Sequence, residues 1–174
     1  KILAERALVA IQSDTGTGKT TYLIEWAKRT DRHLVIAVPT RSLCRQLAKN
    51  HDIFPVCGGG GMDRAADAAA AQIVVATYDT VHHLPDLQRR VLVIDEAHNL
   101  VNQYGQVRRK KKLFRARALN RLQVLAETAA QVVYLSGTMP KALLKTYDVP
   151  LVDVRRRNSP IVRLHHLTAR NSTP

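Results

Sequence analysis

A chain of 174 residues with 45% apolar composition suits one globular domain with a sizeable core, domains commonly running to about 100–200 residues, and leaves no room for a second of similar size. Lys plus Arg number 27 against 14 Asp plus Glu, and the resulting +13 suits either a polyanion-binding surface or a merely soluble basic protein. No apolar stretch approaches the roughly 18 residues of a membrane span and no signal-peptide succession opens the chain, so a soluble intracellular protein, cytoplasmic or nucleoid-associated, is expected.

Short runs of Val, Ile and Leu recur at Leu8 to Gln12, Leu34 to Val38, Ile73 to Ala76, Val91 to Ile94 and Gln131 to Leu135. They are nearly continuous instead of alternating, as strands buried on both faces of a parallel sheet are. Helical spacing fills the intervals, so the expected class is α/β, a mainly parallel sheet with helices on both faces.

The first strand leads into Ser13-Asp14-Thr15-Gly16-Thr17-Gly18-Lys19-Thr20, followed by Thr21 and a helical stretch whose Leu23, Trp26 and Ala27 share a face. Strand, glycine-rich turn and helix in that order are the context of a phosphate-binding loop. Gly16 and Gly18 allow a tight turn that aims successive N–H groups into one concavity, and the helix adds its positive end. Lys19 can then reach the β- and γ-phosphates of ATP, and the Thr20 hydroxyl can ligate Mg²⁺. Ser13 stands where the generic pattern begins with Gly, and is small enough for the turn.

After the second strand, Pro39 keeps Val38 extended and Thr40 is an N-cap for a helix with Leu43 and Leu47 on one face and Arg41, Arg45 and Lys49 at four-residue spacing on another. Cys44 and Cys57 lie in no metal-ligand or redox spacing and read as small apolar residues. Ala65 to Ala71 is a short helix. His82-His83, like His165-His166, is an adjacent pair, and neighbours on a strand or helix are expected to point apart, which suits surface histidines better than a metal site.

Val91 to Ile94 ends in Asp95-Glu96-Ala97-His98. Adjacent carboxylates at the carboxyl end of a buried strand diverge, so Asp95 can bind Mg²⁺ while Glu96 takes a proton from an attacking water. A helix can be drawn from Val107 to Ala130 with Ala118, Leu119, Leu122, Leu125, Ala126 and Ala129 as its apolar stripe. Its first half carries eight Lys or Arg between Arg108 and Arg121, and no acid occurs from Ala97 to Ala126. Arg108, Arg109, Lys110, Lys111 and Lys112 are either a surface tracking a nucleic-acid backbone or the solvated face of that helix. Past Pro140 come a helix to Tyr147, a strand at Leu151 to Val154, an arginine run and an apolar run Ile161 to Leu164. The expected organisation is one nucleotide-binding domain over 1–154 and a linker over 155–174.

In the order of these motifs the chain resembles the first RecA-like domain of superfamily 2 helicases, a P-loop NTPase, over nearly its whole length. Ser13 to Thr20 looks like motif I, Pro39 to Gln46 motif Ia, Ala76 to Thr80 motif Ib, Asp95 to His98 a DEAH form of motif II, and Ser136-Gly137-Thr138 motif III; Gly58 to Gly61 sits where the family often has a glycine doublet. The resemblance implies that the Ser136 strand runs between the phosphate-loop strand and the Asp95 strand. It implies that His98 contacts Ser136 or Thr138 and couples nucleotide state to strand movement, that Thr40, Arg41 and Thr77 touch the nucleic-acid backbone, and that a second RecA-like domain supplies arginines to the γ-phosphate. Ser136-Gly137-Thr138 and Asn99 are similar to DNA-repair helicases, although two cysteines are too few for the four-cysteine cluster of that group. DNA is therefore favoured over RNA, in replication or repair. Two other outputs share these residues: a DNA-binding or partner-recruiting module with a vestigial ATP site, and a translocase or nuclease subunit without unwinding.

Overall fold

Each of the five apolar runs is a β-strand in the computed structural model, which describes residues 8–58, 65–100, 122, 124–127, 129–147, 149–154 and 165–166. In chain order the elements are β1 (Leu8–Gln12), α1 (Lys19–Thr30), β2 (Leu34–Val38), α2 (Arg41–His51), β3 (Phe54–Val56), α3 (Ala65–Ala70), β4 (Ile73–Thr77), β5 (Val91–Ile94), β6 (Gln131–Ser136), α4 (Lys141–Tyr147), β7 (Leu151–Asp153) and β8 (His165–His166). The sheet order is β3-β4-β2-β5-β6-β1-β7-β8. The first seven strands in that order are parallel to their neighbours, and β8 joins β7 antiparallel through two residue pairs, Val152 with His166 and Asp153 with His165.

All five residues of β2 and of β4 are buried. Alternate side chains go to opposite faces of a strand, so each strand feeds two cores. Ala10, Val35, Ala37, Leu92, Ile94 and Val132 lie in one, with Leu122 and Leu143 packed over them. Val9, Leu34, Ile36, Val38, Val91 and Val133 lie in the other, covered by Leu23, Ile24 and Ala27 of α1 and Cys44 and Leu47 of α2. Burying Leu23 and Ile24, at 1% and 0% exposure, contributes about 1.5–3 kcal/mol each.

Helix ends follow local chemistry. The Thr40 hydroxyl accepts the Leu43 N–H at 3.2 Å and caps α2. Asp31 and Asp52 close α1 and α2 in the left-handed conformation that Asp tolerates better than most side chains. The Arg90 guanidinium, 3% exposed, donates to the Ala68, Ala69 and Ala71 carbonyls at 3.1, 2.7 and 2.9 Å, so a cation meets the negative end of α3.

The strand β3 has no counterpart among the sequence expectations. It is three residues long with Pro55 at its centre, and a proline lacking its N–H is tolerated on the sheet edge that β3 occupies. Trp26, on the same face of α1 as the buried Leu23 and Ala27, is only partly buried against the core. Most of the helix expected over 107–130 and the run Ile161 to Leu164 fall outside the described residues, though Leu122, Leu125, Ala126 and Ala129 of its stripe do pack on the core. Two residues of the stretch expected to be a linker form β8. Among the described residues no helix is long and apolar enough to cross a membrane.

Candidate active site

The carboxyl ends of β1, β6 and β5 lie side by side, and the loops leaving them build one site. The Ser136 strand runs between the phosphate-loop strand and the Asp95 strand, as the resemblance implies. Register places Gln12 opposite Ser136, and the Ser13 N–H donates to the Ser136 carbonyl at 3.1 Å.

Gly16 and Gly18 both adopt φ of +76°, the left-handed region open to glycine, and a Cβ on either would meet nothing within 4 Å. The loop is braced from inside: Ser13 and Thr17 hydroxyls are 2.5 Å apart, and the Thr17 hydroxyl donates to the Asp14 carbonyl at 2.8 Å. The space around Gly16 and Gly18 is open, and the loop leads straight into the start of α1, a position that suits a polyphosphate. The Lys19 ammonium lies 3.4 Å from the Ser13 and Asp14 carbonyls, over the loop. Asp14 is half-buried, Thr15 and Thr21 are exposed, and the Thr21 hydroxyl lies 3.4 Å from the His51 ring.

The Thr20 hydroxyl donates to the Asp95 carboxylate at 3.1 Å. Asp95 is 5% exposed, and burial pushes its carboxyl above the ordinary carboxylate range, opposed by the Thr20 hydrogen bond and by the Lys19 charge. A hydroxyl and a carboxylate converging beside a phosphate cradle form the hard-oxygen donor set that Mg²⁺ takes, with phosphate and water completing it. The side chains present therefore fit the metal.

The Glu96 backbone is left-handed, φ +53°, a conformation costing a residue with a Cβ about 1–2 kcal/mol. Its N–H is held by the Asp95 carboxylate at 3.0 Å, and the Asn99 side-chain amide reaches its carbonyl at 3.2 Å. The His98 Nδ1 lies 3.3 Å from the Glu96 carboxylate and 3.1 Å from the Ser136 hydroxyl. That hydroxyl donates to the Thr138 carbonyl at 2.8 Å, so Nδ1 is the donor toward Ser136. Gly137 lies under the phosphate loop: a Cβ there would come within 3.4 Å of the Thr15 hydroxyl.

The residues expected to meet nucleic acid are dispersed. Thr40 and Arg41 are exposed at the start of α2, and the Thr40 hydroxyl already caps that helix. Thr77 is 4% exposed and its hydroxyl pairs with that of Thr80 at 2.9 Å. Arg108, Arg109, Lys110, Lys111 and Lys112 lie outside the described residues, as do Gly59 to Gly61.

Two residues given no role by the sequence belong to the site. Gln12, 7% exposed, accepts the Met139 N–H through its side-chain oxygen at 2.7 Å and ties the phosphate-loop strand to the segment after Ser136 to Thr138. Tyr78, 4% exposed, donates its phenol O–H to the Asp95 carbonyl. Burial, and then the Asp95 and Glu96 charges, hold that phenol far above its ordinary range. A polar residue closing an apolar strand was the available signal for Gln12; Tyr78 lies within the Ala76 to Thr80 stretch, but nothing local marks it as a partner of Asp95.

A family model described as DEAD/DEAH box helicase matches residues 1–146. No curated protein matches the chain. Among solved structures, a hypothetical ATP-dependent RNA helicase from Sulfolobus tokodaii is similar at 19% identity and TM-score 0.62, over 86% of this chain and 48% of that one. A DEAD box protein from Methanococcus jannaschii matches at 20% identity and TM-score 0.59, over 90% of this chain and 47% of that one. Xpd4 from Sulfolobus tokodaii matches at 12% identity and TM-score 0.58, over 90% of this chain and 58% of that one. At such identities the likeness is one of fold, and the chain spans about half the length of the structures it matches.

Proposed function

Since this chain belongs to the DEAD/DEAH box helicase family, we propose that it binds ATP with Mg²⁺ and serves, within a longer protein, as the motor domain that couples hydrolysis to translocation on nucleic acid or its opening. One observation carries this reading: the Thr20 hydroxyl at the start of α1 and the Asp95 carboxylate just past the end of β5 meet at 3.1 Å, beside the open Gly16 to Gly18 turn.

Asp14 to Thr21 surround the phosphates with backbone N–H groups, and Lys19 neutralises the β- and γ-phosphates. Thr20 and Asp95 would hold Mg²⁺, which would offset the charge of those phosphates. Glu96 orients the attacking water and takes its proton. His98, bonded to Ser136, relays the state of the nucleotide to β6. Completion of the site by arginines from a second RecA-like domain accords with a chain that spans about half of its structural relatives.

The +13 charge suits binding to a sequence-independent phosphate backbone. DNA as the track, in replication or repair, rests on the Ser136-Gly137-Thr138 triplet and Asn99, whereas two of the similar structures are named as an RNA helicase and a DEAD box protein. Comparing ATP turnover stimulated by single-stranded DNA and by RNA of equal length separates the two.

Equilibrium titration with a fluorescent ATP analogue tests the site. Lys19→Ala is expected to abolish binding, whereas Glu96→Gln keeps binding and loses hydrolysis. Loss of binding in both variants would contradict the division of roles, and wild-type chain that binds no nucleotide would point to a vestigial site.

A further inference from the structure

The Asp95-Glu96 turn needs an external brace. Its Glu96 residue sits at φ +53°, and a side chain aimed from such a backbone holds its direction only while the turn is held. Inside the turn the Asp95 carboxylate takes the Glu96 N–H, and downstream the Asn99 backbone N–H and side-chain amide reach the Glu96 carbonyl at 2.9 and 3.2 Å. From another strand comes Tyr78, just past the end of β4. Its phenol oxygen donates to the Asp95 carbonyl and lies 3.3 Å from that of Glu96. The ring has no freedom to move away, being 4% exposed and part of the core beneath the sheet, and its own N–H is tied to the Val38 carbonyl at 2.9 Å.

We propose that Tyr78 is a positioning residue for hydrolysis: its hydroxyl clamps both carbonyls of the acidic pair and thereby fixes the direction of the Glu96 carboxylate. The proposal rests on Glu96 being the group that handles the water. Tyr78 touches neither nucleotide nor water in this scheme; it acts on rate by holding the backbone of the Asp95-Glu96 turn from which the Glu96 side chain is aimed. The hydroxyl meets the backbone carbonyl of Asp95 and not the carboxylate that takes the Thr20 hydroxyl, so its loss is expected to move the rate and to leave nucleotide affinity unchanged.

The test uses the full-length protein with ATP, Mg²⁺ and single-stranded nucleic acid. Tyr78→Phe keeps the ring and removes the hydroxyl. It is expected to lower kcat by about three- to tenfold, the effect of one net hydrogen bond, with the fluorescent-analogue Kd unchanged. A purely structural role would lower the melting temperature and leave kcat below that temperature alone. Glu96→Gln is measured beside it. If Glu96→Gln abolishes turnover and Tyr78→Phe turns over at the wild-type rate, the clamp is wrong and the Glu96 role stands. If Glu96→Gln hydrolyses normally, the Glu96 role fails and the clamp has no target. Should Tyr78→Phe not fold, Asn99→Ala removes the other side-chain donor to the Glu96 carbonyl and must show the same loss of kcat at unchanged Kd; an unaltered kcat overturns the proposal.

Discussion

The side-chain oxygen of Gln12 accepts the backbone N–H of Met139 at 2.7 Å inside the core, joining two segments 127 residues apart. The two segments flank the nucleotide site, Gln12 standing just before the phosphate loop and Met139 just after the Ser136 to Thr138 triplet. Gln12→Leu strands that N–H without a partner, at a cost of about 1–3 kcal/mol. A melting temperature equal to that of the wild-type chain would show that the bond contributes nothing to stability.

The shared His98 Nδ1 gives a second expectation, since it faces both the Glu96 carboxylate and the Ser136 hydroxyl. Ser136→Ala removes only one of these contacts. It is expected to leave nucleotide affinity intact and to reduce strand opening or translocation more than ATP turnover. Equal loss of both outputs in paired assays would mean that the contact serves hydrolysis, not coupling.

Cys44 provides a pH-dependent prediction. Burial first, then the charge and hydrogen bond of the neighbouring Cys57, push its thiol from an ordinary 9.0 up to about 12. The sign follows: a folded value above the unfolded one means the folded chain binds more protons, so the contribution is complete below pH 9 and is lost as pH rises towards 12. The stability difference between wild type and Cys44→Ala should shift against the wild type across that window. Iodoacetamide at neutral pH should spare Cys44 in the native chain and label it once denaturant is added; equal labelling in both states counts against the assignment.

The basic segment is tested through salt. Replacing Arg108, Arg109, Lys110, Lys111 and Lys112 with Gln should flatten the dependence of log K on log salt, by about 0.7 for every phosphate of a single strand that these side chains no longer neutralise. An unchanged slope identifies the segment as a solvated helix face.

What local sequence could determine, it determined well. Continuous Val, Ile and Leu runs mark β1, β2, β4, β5 and β6 because a strand buried on both faces has few positions for a polar residue, and Gln12, Thr77, Gln131 and Ser136 stand at strand ends. The Gly16 and Gly18 turn and the Asp95-Glu96 pair were legible for a similar reason: the backbone geometry and ligand chemistry they serve admit few residue types. That β6 runs between β1 and β5 was implied by the resemblance and not by any periodicity; the rest of the strand order was not read from the sequence. The edge strand β3 escaped because three residues with a central Pro55 carry no strand pattern.

Only the tertiary structure decided which distant groups meet. Thr20 and Asp95 are 75 residues apart in the chain and 3.1 Å apart in space, and Gln12, Tyr78 and Arg90 take partners that no local pattern names. Propensity and periodicity report on neighbours within a few residues. Contacts across the sheet depend on how the crossover helices must run for both of its faces to be covered at once, a condition on the whole chain that no short window contains.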